Sequence, residues 1–304
     1  MSSKPFEEFQ SKRICHPERA PQRESNGPAV SSVLNIRQPI SEIEPHPLAQ
    51  LRRFTPARIS LNRTGNSLTT SDLLDFSLAH ALARDAVHNQ LDSESIIQQL
   101  KAADLEFIQV HSAAKDRATY LRRPDLGRKL EESSRTLLAE AKPAIQPDIV
   151  FVIADGLSAI APERYAVPII QQIRQLLPDW SSGPVVIAEQ ARVALGDEAG
   201  ELLQAEITVM LIGERPGLSS PDSLGIYLTY DPKPGRTDAE RNCISNVRAE
   251  GVSIERAAET LSYLITSARR LQLSGVGLKD DSDRVQPSLP GSREVPVEKQ
   301  IKSG

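Results

Sequence analysis

Between Asp148 and Ala154 the chain reads DIVFVIA, an apolar run without a polar break that ends in the turn residues Asp155-Gly156. A half-buried strand alternates apolar and polar residues, and a surface helix repeats apolar ones every three to four. This run does neither, so the strand it predicts is covered on both faces. Such strands belong to a largely parallel sheet with helices on either side. Val185–Ala188, Ile207–Ile212 (ITVMLI) and Ile226–Tyr230 read as further strands. A helix is predicted from the Asp155-Gly156 turn to about Leu177, stopped by Pro178. A short one follows over Asp197–Leu203, and a last one runs from about Ser253, its cap, to Leu273, with Gly275 just past its end.

Upstream the pattern is mainly helical. Thr69, Thr70 and Ser71 are cap candidates for a helix reaching about Asn89, with Leu74, Leu78, Ala81, Leu82 and Asp85 along one side. Ser93 caps a second helix through Leu100. Leu105–Val110 reads as a short strand. Pro124 suits the first turn of a helix ending near Ala141. The fold class is therefore α/β: Rossmann-like, a mostly parallel sheet with flanking helices, plus a helical N-terminal module and disordered tails. The boundaries fall at 1–55 for a disordered Pro-rich extension, 56–142 for the helical module, 143–279 for the α/β domain and 280–304 for a flexible tail. Phe6, Phe9 and Ile14 line one side of a possible short helix in the extension. A solvated tail is the preferred reading there, a docking or encapsulation peptide the other.

Several function classes drop out. Only 39% of the 304 residues are hydrophobic and 4% aromatic, so part of the chain is expected to lie outside any packed core. A net charge of −4 argues against nucleic-acid binding through bulk electrostatics. The apolar runs are too short to span a bilayer, and residues 1–28 lack the apolar core of a secretory signal. Cys15 and Cys243 make no disulfide framework, which suits a reducing compartment. All five histidines precede residue 112, and no Cys/His cluster has zinc spacing.

Ligands of parallel sheets bind at the carboxyl ends of the strands, and three such segments stand out. In Asp155-Gly156-Leu157-Ser158 the carboxylate either accepts from a ligand or caps the following helix, with equal weight. GERPG, residues 213–217, places Glu214 and Arg215 directly after a buried strand, where a polar ligand is the better reading over a surface ion pair. It is neither a phosphate loop nor a dinucleotide fingerprint. Arg241-Asn242-Cys243-Ile244-Ser245-Asn246 is a run of donors and acceptors in a segment read as non-repetitive; without a nearby histidine, Cys243 is not a nucleophile. Arg192-Val193 follows the second strand, Val193 reading as core or pocket wall. Arg58, Arg63, Arg122, Arg123 and Arg128 form an arginine supply, read mostly as solvated or interface residues. His80, His88 and His111 lack partners at metal spacing. No complete catalytic constellation is present, which points toward a subunit or binding partner.

In this order, NRTGNSLTTSDLLDFSLAHALARDAVH (62–88), DRATYLRRPDLGRKL (116–130), DIVFVIADGLSA (148–159), ARVALGDEAGELL (191–203), LIGERPGL (211–218), YDPKPGRTDAERNCISNV (230–247) and LQLSGVGL (271–278) resemble the small (light) subunit of ethanolamine ammonia-lyase. The resemblance covers about residues 56–278. It implies a holoenzyme that uses adenosylcobalamin to convert ethanolamine to acetaldehyde and ammonia. In it a large barrel subunit binds substrate and supplies most catalytic groups, while the small α/β subunit helps hold the cobalamin at the interface. It implies cobalamin contacts at Val193, Glu214 and Cys243, with Cys243 giving shape or backbone contact rather than thiol chemistry, and no catalytic or metal-ligating residue in this chain. With no histidine in the α/β half, the cofactor is expected to keep its own dimethylbenzimidazole on cobalt (base-on). The expected location is cytoplasmic, with the interior of a bacterial microcompartment left open. The alternatives are a free-standing α/β enzyme acting on a nucleotide or sugar, with Asp155 and Glu214 as acid and base, and a pure assembly protein whose cleft has decayed.

Overall fold

The structure is a computed structural model that describes residues 46–282. Phe6, Phe9 and Ile14, and nearly all of the two expected tails, lie outside the described residues. Residues Ala49–Phe54 form a 3-10 helix. A hairpin of β1 (Arg63–Thr64) and β2 (Ser67–Leu68) precedes α1 (Thr70–His88), whose cap Thr69 accepts from the Asp72 amide. Then come α2 (Ser93–Ala102), β3 (Phe107–His111), α3 (Arg117–Arg122), α4 (Glu132–Glu140), β4 (Ile149–Ala154), α5 (Ile160–Leu176), β5 (Val185–Glu189), α6 (Leu195–Leu202), β6 (Ile207–Gly213), β7 (Leu224–Tyr230), β8 (Arg241–Val247) and α7 (Ile254–Leu271).

The six long strands form one sheet in the order β3-β5-β4-β6-β7-β8. The unbroken apolar run, β4, lies inside it with all six residues buried. Ile149, Phe151 and Ile153 enter a core shared with α2, α5 and α7, while Val150, Val152 and Ala154 enter a second core shared with α4 and α6. β5 divides in the same way, Val185 and Ile187 against Val186 and Ala188. Helices on both faces therefore explain the missing alternation.

The sheet is mixed rather than largely parallel. β3, β5, β4 and β6 run parallel, but β7 is antiparallel to β6 and β8 antiparallel to β7. A parallel connection needs a crossover, usually a helix. Residues 214–223 contain none, so the chain folds back as a hairpin. The strand order also departs from the doubly wound orders of the Rossmann and flavodoxin folds. Residues 107–111, expected within the helical module, supply the edge strand β3. Two local expectations are corrected as well. Residues 241–247 form a strand, not an irregular segment. Pro124 opens no helix: α3 ends two residues before it, as the restriction on a pre-proline residue favours, and α4 starts only at Glu132. At the end of α7, Gln272 takes the left-handed cap conformation, and Gly275 starts a separate 3-10 turn.

One carboxylate ties the parallel half together. Asp155, fully buried after β4, accepts from Arg117 Nη1 at 2.9 Å, from the Gln190 amide at 3.0 Å and from the Ala191 amide at 3.0 Å. Arg117 also donates to the Gly156 carbonyl at 2.9 Å and, through Nε, to the Val87 carbonyl at the end of α1 at 2.8 Å. The β4 turn, the β5 loop, α1 and α3 thus share one ion pair. Neither reading of Asp155 describes this role: it caps no helix, since α5 starts after Ala159 without a side-chain cap, and its acceptors are taken by Arg117 and the loop amides. Beside it the end of β6 touches the β4 turn. A methyl group on Gly213 would lie 1.9 Å from the Ser158 carbonyl oxygen and 2.6 Å from that of Asp155.

Two predictions follow from this brace. Replacing Asp155 by Ala leaves Arg117 buried without its counter-charge and should destabilise the fold by about 3–5 kcal/mol at pH 7 in urea unfolding. Burial raises the Asp155 carboxyl to about 6, against the lowering pull of Arg117 and the loop amides. That value lies above the unfolded one, so the folded chain takes up the proton first. The group's contribution to stability is greatest below about pH 4 and is lost as pH rises through about 6. The gap between wild type and Asp155→Ala should therefore widen from pH 7 to pH 4.5, and a narrowing gap would reverse the assignment. Gly213→Ala, forced against two backbone carbonyls, should lower the melting temperature by roughly 3–10 °C.

Candidate functional site

The helices cover the two faces of the sheet unequally. On the first face α5 and α7 extend over the antiparallel wing, burying Leu224, Ile226 and Leu228 of β7 with Ile244 and Val247 of β8. On the second face α4 and α6 pack over the parallel half. Of the β7–β8 side chains pointing that way, Thr229 and Arg241 are buried beside α6, but Tyr227 is half-buried and Cys243 and Ser245 are exposed. This thinly covered face is where a ligand can reach the sheet.

A bulge shapes it. Leu224 pairs with Val247 but Ile226 pairs with Ile244, so Ser245 and Asn246 together oppose Gly225. Asn246 absorbs the extra residue in a left-handed conformation, φ 60°. Such bulges redirect the groups beside them. Here the Asn246 amide donates to both carboxylate oxygens of Glu214, at 3.3 and 3.2 Å. To reach it, the Glu214 side chain passes over Gly225. A methyl group there would lie 3.2 Å from Glu214 Cγ and 3.1 Å from the Tyr227 ring. Gly225 is thus the slot through which a residue after β6 reaches β8. One shared amide leaves the carboxylate with further acceptor capacity. Tyr227 is the register partner of Cys243, whose Sγ lies 3.2 Å from Ser245 Oγ. Burial, then the neighbouring Cys243, pushes the Tyr227 phenol upward, so the ring presents a neutral hydroxyl at neutral pH.

The other wall comes from the loop after β5. Asp155 fixes Gln190 and Ala191, and the next two residues, Arg192 and Val193, line a cavity of about 460 Å³ together with Arg128, Tyr227, Arg236 and Arg241. The first acids of α6 anchor this wall. Asp197 pairs with the buried Arg241 of β8, and burial raises its carboxyl against the pull of that arginine. Glu198 pairs with Arg135 and accepts from the Leu130 amide at 2.9 Å.

The three residues singled out from the sequence therefore meet on one surface. Val193 shares the cavity with Tyr227, Cys243 stands opposite Tyr227, and Glu214 lies against Gly225 two residues away. Arg215 is exposed, and Asn242 instead clasps the chain after α7, donating to the Leu278 carbonyl at 2.7 Å and accepting from the Gly275 amide at 2.7 Å. Sequence reasoning missed Gly225, Tyr227 and Arg236. The strand pattern carried the first two signals, since every second residue from Leu224 to Leu228 is aliphatic and the residues between are not. Among the described residues no three His, Cys, Asp or Glu side chains gather as a metal site, and no helix is long and apolar enough to cross a membrane.

Comparison with known proteins gives this surface a family. The model of the ethanolamine ammonia-lyase light chain (EutC) matches residues 45–279. The ethanolamine ammonia-lyase small subunit of Pseudomonas fluorescens (strain Pf0-1) is 55% identical over 242 residues, 78% of this chain and 88% of the relative. That of Pseudomonas putida (strain F1) is 55% identical over 243 residues, 78% and 89% of the two chains. That of Pseudomonas aeruginosa (strain UCBPP-PA14) is 53% identical over 242 residues, with the same 78% and 89%. Matches of this extent cover the whole sheet and every residue of the cavity, and the chain belongs to the ethanolamine ammonia-lyase light-chain family, whose members are subunits of a lyase.

Proposed function

We propose that this chain is the small subunit of an adenosylcobalamin-dependent ethanolamine ammonia-lyase, and that the open face of β7–β8 forms one wall of the corrinoid site. The observation that carries the reading is the convergence of Val193, Glu214 and Cys243 on that face. The residues suit the group. A corrinoid is broad, largely apolar on its ring faces and rich in peripheral amides. Val193, Tyr227 and Cys243 offer low-polarity surface, and the spare lone pairs of Glu214 accept from an amide or a ribose hydroxyl. The cofactor supplies the radical chemistry; this chain binds it, orients it and keeps water from one side. A corrinoid is too bulky for a cavity of about 460 Å³, so the larger subunit supplies the opposite wall.

A second surface suits that partner. Leu74, Leu78 and Leu82 lie one turn apart on α1 and are 63, 62 and 51% exposed. The side of α1 expected to be apolar thus faces outward, and such stripes mark contact surfaces. We assign it to the larger subunit. The free-standing enzyme is disfavoured: Asp155 is sealed beneath its loops, so the acid–base pair that reading needed does not form. The location that goes with the reading is cytoplasmic, inside or outside a bacterial microcompartment.

The isolated chain should be inactive, and co-expression with a large subunit should create adenosylcobalamin-dependent acetaldehyde release. In that complex Glu214→Ala should weaken cobalamin binding about 10- to 100-fold, the loss of one hydrogen bond to a charged group. Subunit assembly, measured by analytical ultracentrifugation, should be unaffected; lost assembly with intact affinity would overturn the role. Leu78→Glu should do the reverse, leaving a folded chain that no longer joins the complex. With ¹⁵N-labelled protein, the electron paramagnetic resonance spectrum of cob(II)alamin should carry no protein-derived nitrogen coupling if the cofactor is base-on.

A further inference from the structure

The cavity is unusually rich in guanidinium groups, and two of them have no counter-charge. Arg241 is held by Asp197 and Asp238, and Arg236 by Asp231 and Glu240. Arg128 and Arg192 have no carboxylate within ion-pair distance among the described residues. Asp238 is the one carboxylate lining the cavity, and it is already paired with Arg241.

Arg192 is also posed. Its amide donates to the Gly127 carbonyl at 2.7 Å, and its guanidinium carbon stacks 4.3 Å from the centroid of the buried Tyr120 ring. The same ring receives Arg117 at 4.9 Å, and its hydroxyl donates to the Ala191 carbonyl at 3.0 Å. Gly127 makes room for this arrangement. A methyl group there would lie 2.8 Å from the Tyr120 ring and 3.0 Å from Arg192 Cγ. The Nε of Arg192 is buried without an acceptor. A buried guanidinium donor without a partner costs stability. Its rigid placement beside a cavity is what recognition of an oxyanion needs.

We propose that Arg192, helped by the exposed Arg128, forms an anion subsite for the phosphodiester in the nucleotide arm of the corrinoid. This rests on the corrinoid reading above and adds a division of labour. Glu214, Tyr227 and Cys243 meet the ring and its amides, while the two arginines meet the arm. A phosphodiester carries one negative charge and two unshared oxygens, which match the fork of one guanidinium with a second cation at its side.

The test uses the assembled complex with a large subunit and two probes: cyanocobalamin, which has the nucleotide arm, and dicyanocobinamide, which lacks the arm and its phosphate. Arg192→Gln should weaken cyanocobalamin about tenfold or more and leave dicyanocobinamide within about twofold. Arg128→Gln changes an exposed side chain and serves as the variant safe for folding; it should show a smaller loss of the same selectivity. Arg192→Lys, which keeps the charge but not the fork, should recover part of the affinity. Equal losses for both probes, or no loss for either, would overturn the assignment. Inorganic phosphate is titrated in the corrinoid-free complex. Binding that depends on Arg192, with cyanocobalamin affinity unchanged in Arg192→Gln, would make this a free-anion site and also overturn it. Failure of the parent reading looks different: neither Glu214→Ala nor Val193→Arg would then affect either corrinoid.

Discussion

The architecture depends on the carboxylate of Asp155. It sits where the loops of two adjacent parallel strands diverge, β4 leading to a helix on one face and β5 to a helix on the other. In open α/β sheets this switch point is the usual ligand crevice. Here three donors take up the carboxylate, which serves as a joint at the floor of a recess of about 210 Å³. The ion pair is costly to bury. What it secures is the position of residues 190–193, and so the cavity wall that Arg192 and Val193 form.

With that carboxylate committed to its loops, a larger recess of about 460 Å³ lies toward the antiparallel wing. Its position follows from uneven coverage. Each crossover helix shields the strands it joins, whereas a hairpin brings no helix with it. The β6–β7 and β7–β8 connections therefore leave one face of two strands thinly covered, and a single bulge sets which groups occupy it. At the start of α6 the buried pair of Asp197 with Arg241 and the part-exposed pair of Glu198 with Arg135 hold the surrounding walls so that the recess exists before anything enters it.

What was legible in the sequence follows from this geometry. β4, β5 and β6 were readable because burial on two faces writes a continuous apolar run. α1 and α7 were readable at their starts because Thr69 and Ser253 cap them as such residues do. Strand direction was not readable, since local hydrophobicity does not record it; the available sign was that residues 214–223 have no helical period. β8 was hidden because its bulge breaks the period of two. Ile244 and Val247 are three residues apart yet pack into the same core. Of the site, Val193, Glu214 and Cys243 came from resemblance to a family. Residue physics alone flagged the GERPG turn but could not foresee that its carboxylate crosses an intervening glycine.

The sheet ends at β8, and an open terminal strand invites pairing with another copy of itself. Here that edge is blunted at both ends. The turn after β8 folds back so that the Val252 amide occupies the Asn246 carbonyl at 2.9 Å, and the segment after α7 is pinned along the strand by Asn242. At this edge of the sheet the strand is thereby kept from pairing with another copy of itself.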